Sequence, residues 1–140
     1  MNIGKEIVLV SRLLKRRVDR ETIKHGLSAN QGRILTYLYE HQDVEVYQRD
    51  LEKIVHLRRS SITVLLQKLE KEGLITRENI DAKQKCLKIS DKGLAKAEEI
   101  LEVFKDNEII IDEIVKDDKE RMLKLLDSIK KELLMEEENG

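Results

Sequence analysis

The chain has 140 residues, of which 39% are charged and 3% are aromatic, and it contains neither proline nor tryptophan. This length suits a single domain, residues 1–140, whose core must come from aliphatic side chains on long, unbroken helices. The single cysteine excludes an internal disulfide, and the net charge of −1 argues against general attraction to nucleic acid.

Charge is distributed unevenly along the chain. Residues 1–57 carry 10 basic and 8 acidic side chains, residues 58–92 carry 9 and 5, and residues 93–140 carry 8 and 15. The basic excess of the middle segment favours one defined anion-binding face there. The N-terminus lacks the layout of a signal peptide, and no apolar run approaches the ~20 residues of a membrane span. We therefore expect a cytoplasmic protein that makes no membrane contact.

The first predicted helix covers about residues 2–24. Ile3, Ile7, Val10 and Leu14 recur at helical spacing, and Gly26 ends the pattern. The flank of this helix is basic, with Arg12, Lys15, Arg16, Arg17 and Arg20. We interpret the flank as a solvated surface, with contact to nucleic acid as the alternative.

Two shorter helices are predicted next. Ser28 and Gln31 have the spacing of a capping box, which starts a second helix that should end near His41. A brief strand is expected at residues 44–46. Apolar side chains then mark a short third helix: Leu51, Ile54 and Val55.

A fourth helix follows, and its two faces differ. Its apolar face consists of Ile62, Leu65, Leu66 and Leu69. The opposite face is small and polar, with Ser60, Val64, Gln67 and Lys71 flanked by Thr63 and Lys68. Gly73 predicts a Schellman motif that packs Leu74 on Leu69, so the helix should end at about Glu72.

After Gly73 the apolar period changes to two, which predicts two antiparallel strands at about residues 74–78 and 86–90. The polar ENIDAKQK between them forms the tip of the hairpin, and Ser90 has the chemistry to cap a further helix. A helix with a small polar face followed by a basic ribbon is typical of a winged helix-turn-helix, in which the helix enters the major groove. The alternative is a helix and hairpin that only pack a small core.

Two long helices end the chain, at about residues 92–115 and 118–137. The first has an apolar line, with Leu94, Ala97, Leu101, Glu108 and Ile111 on it and Ile100, Phe104 and Ile114 beside it. The second shows Met122, Leu126, Ile129 and Leu133. Together with the first helix, these two helices carry more apolar surface than a small DNA-reading module can bury. We therefore predict a homodimer through residues 1–25 and 93–138.

The motifs LSANQGRILTYL, YQRDLEKIV, SSITVLLQKLEKEGLITR and LKISDKG, in this order, resemble the MarR family of bacterial transcriptional regulators. The resemblance spans roughly residues 27–93 and implies a mainly α fold with a small antiparallel wing. Residues 27–92 would form the DNA-binding lobe, between N- and C-terminal dimerisation helices. The resemblance also implies a regulator, most often a repressor, in which a small-molecule effector bound between the dimerisation helices and the DNA-binding lobe changes the fit to DNA. In the predicted homodimer, two recognition helices about one DNA turn (~34 Å) apart would read the two halves of a palindromic operator.

Eleven residues are candidates for contact with double-stranded DNA: Arg58, Arg59, Ser60, Ser61, Thr63, Val64, Gln67, Lys68, Arg77, Lys83 and Lys85. The hydroxyl and amide groups are suited to base edges or phosphates, Val64 to a thymine methyl, and the cations to phosphates. For Arg77, an ion pair with Asp81 or Glu78 is an equal alternative.

The sequence departs from the family pattern at two points. Lys83 stands where the wing usually has an arginine two residues after the acid, here Asp81, and lysine lacks the planar fork that reads the minor groove. Tyr47 stands where a threonine often caps the third helix, so a weaker cap is expected.

Other functions have less support in the sequence. The three histidines are scattered, Cys86 has the setting of an inert strand cysteine, and no catalytic or phosphate-loop motif is present. We therefore predict no enzyme activity, cofactor or metal, with a metal sensor assembled in space as an alternative. A winged-helix module that binds protein, or a regulator of the PadR type, also remain open.

Overall fold

The structure is a computed structural model, which describes residues 1–79 and 85–140. In the described residues, the helices are α1 (Ile3–Ile23), α2 (Ala29–Glu40), α3 (Gln48–Val55), α4 (Arg59–Lys71), α5 (Asp91–Val115) and α6 (Lys119–Asn139). The strands are β1 (Val46–Tyr47), β2 (Ile75–Asn79) and β3 (Lys85–Ile89). The predicted fold class, mainly α with a small antiparallel wing, is confirmed.

Contacts divide the chain into two compact units, Met1–Phe104 and Lys105–Gly140. The first contains α1 to α4, the sheet and the start of α5. The second contains the end of α5, a 3-10 turn at Lys116–Asp118, and α6. The helix-turn-helix elements therefore lie wholly within the first unit.

The core of the first unit lies between α2, α3, α4, the sheet and the start of α5. Its fully buried side chains include Ile34, Leu35, Leu51, Ile62, Leu66, Leu69 and Ile100. The predicted apolar face of α4 is confirmed, since Ile62, Leu66 and Leu69 are buried and Leu65 packs against them. In α3, however, only Leu51 is buried and Ile54 is exposed.

The sheet has the order β1-β3-β2 and is antiparallel throughout. Val46 pairs with Leu87, and both side chains are buried. The short strand predicted at residues 44–46 therefore begins later, because Val44 is exposed and Val46 is the residue that reaches the core. Leu74 and Ile75 are both buried although they are neighbours, because Leu74 still belongs to the turn that ends α4.

The end of α4 has the predicted Schellman geometry. Gly73 has φ +76°, its N–H donates to the Glu70 carbonyl at 3.0 Å, and the Leu74 N–H donates to the Leu69 carbonyl at 2.9 Å. Glycine adopts a left-handed backbone conformation at little cost in free energy, so α4 ends at this position.

The start of α5 is fastened to the end of α4, and we call this contact the α4–α5 joint (residues 72–74 and 90–93). The Ser90 hydroxyl donates to the Gly73 carbonyl at 2.6 Å, and Lys92 Nζ donates to the Glu72 carbonyl at 2.8 Å. Ser90 Oγ also accepts from the Gly93 N–H at 3.0 Å, which confirms Ser90 as a helix cap. The joint satisfies carbonyl groups that the end of α4 would otherwise leave unpaired.

Helix α2 begins with the predicted capping box. The Gln31 N–H donates to Ser28 Oγ at 3.2 Å, and the Ser28 N–H donates to Gln31 Oε1 at 2.9 Å. Asp19 of α1 accepts the Ala29 N–H at 2.7 Å, so a carboxylate of α1 also stabilises the positive end of α2.

Large apolar side chains remain exposed at both ends of the chain. In α1 they are Ile3, Ile7, Val8, Leu9, Val10 and Leu13, and in α6 they are Met122, Leu123, Leu125, Leu126, Ile129, Leu133, Leu134 and Met135. Among the described residues, no helix is both long and apolar enough to cross a membrane.

Candidate nucleic-acid interface

The exposed face of α4 carries the polar side chains predicted for it. Ser60, Ser61, Gln67 and Lys68 are exposed, and Val64 presents 64% of its surface to solvent. An aliphatic side chain of that exposure contributes nothing to the core, but its methyl groups can pack against a thymine methyl. Because the opposite face of α4 is buried, the helix can present only this face to a partner.

The N-terminus of α4 is positively charged and has no acidic residue in its first turn. Arg58 is the N-cap residue, no side chain caps the helix there, and both Arg58 and Arg59 are exposed. Two cations at the positive end of a helix repel its dipole by a few tenths of a kcal/mol up to ~1 kcal/mol. A phosphate group would relieve that repulsion and accept the free backbone N–H groups.

Thr63 differs from the other candidates because its hydroxyl is already bonded. Thr63 Oγ1 donates to the Arg59 carbonyl at 2.9 Å and accepts from Gln48 Nε2 at 2.8 Å. Gln48 is not among the eleven residues predicted from the sequence to contact DNA. Its position could have suggested a contact, because Gln48 is the first residue of α3 and the following helix, α4, must pack against α3.

Arg77 is directed toward α4. Its Nε lies 2.8 Å from Glu70 Oε2 and its side chain is only 18% exposed, although the contact lacks the alignment of a hydrogen bond. Of the two roles considered for Arg77, this position favours the structural one, with Glu70 of α4 as the partner among the described residues. The ion pair links the first strand of the wing to α4.

The wing contributes exposed lysines. Lys85 and Lys88 of β3 are exposed, whereas Cys86 between them is buried. Asp81 and Lys83, the pair compared with the family's wing motif, lie outside the described residues. Two lysines in the described part of the wing, Lys85 and Lys88, are therefore accessible to solvent.

Helix α3 is capped from one side only. The Tyr47 side chain makes no capping bond, as predicted from the missing threonine, but Asp50 accepts the Tyr47 N–H at 2.9 Å.

The Tyr47 hydroxyl donates to Glu45, and this hydrogen bond raises the pKa of the phenol to about 12. Arg49 lies 4.8 Å from the Tyr47 ring centroid. Tyr47 therefore stays uncharged at neutral pH, beside a cationic neighbour.

The arrangement can bind an anionic polymer that accepts hydrogen bonds. It combines an exposed helix face of hydroxyl, amide and methyl groups, a cationic helix N-terminus and a basic strand. Within residues 1–79 and 85–140, no three histidine, cysteine, aspartate or glutamate side chains are grouped so that they could hold a metal ion.

The chain is similar to known proteins both in sequence and in fold. A family model described as the MarR family matches residues 25–84, and no curated protein sequence matches the chain. The chain is similar to MepR of S. aureus in the crystal structure of its DNA complex, with 23% identity, a TM-score of 0.89, and coverage of 95% of this chain and 98% of that one.

Two further solved structures have higher identity. The transcription regulator MarR from Oenococcus oeni PSU-1 is 28% identical, with a TM-score of 0.80 and coverage of 96% of this chain and 99% of that one. NadR in complex with 4-hydroxyphenylacetate is 26% identical, with a TM-score of 0.74 and coverage of 94% and 92%. The likeness to MepR establishes the fold, and the family model covers α2, α3 and α4 completely.

Proposed function

We propose that this chain is a member of the MarR family of transcription regulators and acts as a sequence-specific repressor that binds a palindromic DNA operator as a homodimer. The proposal rests on the distribution of side chains on α4. This helix buries one face and exposes a polar face, and its N-terminus is cationic and has no acidic residue in the first turn. The similarity to MepR, which has been solved with DNA, supports the same assignment.

The residues proposed to contact DNA divide into two roles. Ser60, Val64 and Gln67 contact base edges in the major groove, because they project from the middle of the exposed face of α4. The cations contact phosphates and set the position of the helix in the groove: Arg58, Arg59, Lys68, Lys83 and Lys85.

The first experiment measures binding to the DNA just upstream of the protein's own coding region, at several salt concentrations, with unrelated DNA as competitor. Tight binding that resists the competitor and falls steeply with salt is the expected result. Equal, weak binding to both DNAs would contradict sequence-specific recognition.

Gln67→Ala and Lys83→Ala are expected to act differently on this binding. Gln67→Ala should change the preferred base at one position and cost about 1–3 kcal/mol there. Lys83→Ala should weaken binding to all sequences and lower the salt slope by about one unit, because one phosphate contact is lost. Selection of preferred sequences and salt titration measure the two effects.

Matched controls for these variants are Gln42→Ala, in the turn that follows α2, and Lys130→Ala on α6, where both parent side chains are exposed. Neither control should change sequence preference or the salt slope. If Gln67→Ala and Lys83→Ala also leave both quantities unchanged, the assignment of these two residues is wrong.

The homodimer is supported by the exposed apolar side chains of α1 and α6, which a monomer would leave in water. A two-fold dimer presents two α4 helices to half-sites about one DNA turn, or ~34 Å, apart. Residues 1–25 and 93–138 would form the interface.

Leu126→Asp should convert the dimer to a monomer, because it places an unpaired charge in an apolar interface. Sedimentation at micromolar concentration measures this change. Ser128→Asp adds the same charge on another side of α6 and should leave the dimer intact. A monomeric wild-type protein at this concentration would contradict the proposal.

A small-molecule effector is the regulatory part of the proposal. It is supported by the family resemblance and by NadR, which was solved with 4-hydroxyphenylacetate. An effector that prefers the conformation unable to bind DNA would weaken operator binding by about 5–150-fold, the range of ordinary allosteric coupling.

A further inference from the structure

A hydrogen-bonded bridge joins the start of α3 to the recognition helix α4. Gln48, the first residue of α3, donates from Nε2 to Thr63 Oγ1 at 2.8 Å and approaches the Arg59 carbonyl at 3.4 Å. Thr63 Oγ1 donates to the same carbonyl at 2.9 Å. The two side chains and one carbonyl thus form a closed triangle across the turn between the helices.

The bridge uses the donors of both side chains. A glutamine amide has two N–H donors, and here one points to Thr63 and the other toward the Arg59 carbonyl. A threonine hydroxyl has one O–H donor, and the Arg59 carbonyl takes it. Neither residue keeps a donor for a phosphate group or for the acceptor edge of a base.

The position of the bridge determines what it can control. Arg59 and Thr63 lie in the first two turns of α4, one residue before the exposed Ser60 and Val64 respectively. A helix with side chains is about 10–12 Å across, so a rotation of 20° displaces a surface atom by roughly 2 Å. Such a displacement exceeds the tolerance of about 0.5 Å that a functional constellation needs.

We propose that Gln48 and Thr63 are positioning residues, which fix the rotation of α4 about its axis and so aim Ser60, Val64 and Gln67 at the bases. The inference rests on the proposed DNA-binding function and revises the sequence-based assignment of Thr63 as a direct DNA contact. It also adds Gln48 to the residues that set specificity, without contact to DNA.

The test uses the full-length variants Gln48→Met, Thr63→Val and the double variant. Each substitution keeps the size of the side chain and removes its part of the bridge. The measured quantity is the ratio of affinities for the selected operator and for unrelated DNA, across a salt series. Gln42→Met, in the turn that follows α2, and Thr76→Val on β2 are matched controls, because the parent side chains are exposed.

Each single variant should lower this ratio about fivefold, the factor that corresponds to one net hydrogen bond. The double variant should lower the ratio no further than the single variant with the larger effect, because both changes break the same bridge. The salt slope should stay unchanged, since no phosphate contact is removed. The controls should leave the ratio unchanged.

Three results would overturn the proposal. A change of the preferred base at one position in Thr63→Val alone would identify Thr63 as a base contact. Additive effects of the two single variants in the double variant would mean that the two residues act separately. A salt slope reduced by about one unit in Gln48→Met would identify a phosphate contact.

A separate readout distinguishes failure of the bridge from failure of the proposed function. Thermal unfolding of the same variants does not involve DNA, and the double variant should melt no lower than the less stable single variant. If the wild-type protein shows no sequence preference while the melting effects are non-additive, the DNA-binding proposal fails and the bridge stands. Additive melting effects would refute the bridge itself.

Discussion

Gly93→Ala is expected to lower the free energy of unfolding by roughly 3 kcal/mol, the upper part of the range for overpacking a closed site. A Cβ atom at this position would overlap the carbonyl oxygen of Leu74. It would also lie 2.7 Å from Ile89 Cγ1 and 3.1 Å from the carbonyl carbon of Leu74. Two of these three atoms belong to the backbone, so a change of rotamer cannot relieve the clash. Chemical denaturation measures the loss.

Gly4→Ala is the matched control, because Gly4 also lies in the first turn of a helix. A Cβ atom at Gly4 would meet nothing within 4 Å. The substitution should leave stability unchanged or raise it by up to about 1 kcal/mol, through helix propensity. Equal effects of the two substitutions would show that the close approach at Gly93 is not needed for folding.

The expected loss at Gly93 has a functional meaning because of where the clash occurs. Gly93 lies in the α4–α5 joint, where Ser90 and Lys92 hold the carbonyl groups at the end of α4. Relieving the clash requires the start of α5 to move away from Leu74, which would strain or break those hydrogen bonds. The joint therefore fixes the C-terminal end of α4, as the bridge between Gln48 and Thr63 holds its N-terminal part.

The sequence was sufficient where structure depends on neighbours along the chain. The Schellman motif at Gly73 and the capping box at Ser28 and Gln31 each involve residues within one or two turns. Spacing alone specifies such contacts, so the end of α4 and the start of α2 agree with prediction. The buried face of α4 was equally accessible, because helical periodicity fixes which residues share a face.

Contacts between elements could not be predicted in the same way. Gln48 and Thr63 are 15 residues apart, and their bridge depends on the angle between α3 and α4. Arg77 was assigned possible partners close in sequence, yet the described partner is Glu70, which approaches only because β2 folds back beside α4. Thr63 illustrates the limit most clearly, since its hydroxyl suits a base contact until its two hydrogen-bond partners are known.

Ser61→Glu is expected to affect stability and DNA binding in opposite directions. Ser61 is exposed and is the third residue of α4, where a carboxylate can accept the N–H of the N-cap residue Arg58. The first turn has no acidic residue, so the new charge should stabilise the helix by about 0.3–1 kcal/mol. Chemical denaturation should show stability unchanged or raised.

The same substitution should reduce affinity for DNA by at least about 100-fold, because like charges placed together in an interface cost several kcal/mol. The loss should affect operator and unrelated DNA alike, since a phosphate is repelled whatever the sequence. Asn30→Glu is the matched control, because α2 also has no acidic residue in its first turn. It should leave DNA affinity unchanged.

This pair of measurements separates DNA binding from the alternative of a winged-helix module that binds only protein. A folding defect would lower stability and affinity together, whereas an electrostatic block of the interface lowers affinity in a protein of equal or greater stability. Undiminished DNA binding by Ser61→Glu would show that the N-terminus of α4 lies outside the DNA interface. Because the helix dipole attracts the introduced carboxylate just as it attracts a phosphate, the gain in stability and the loss of binding have the same physical origin.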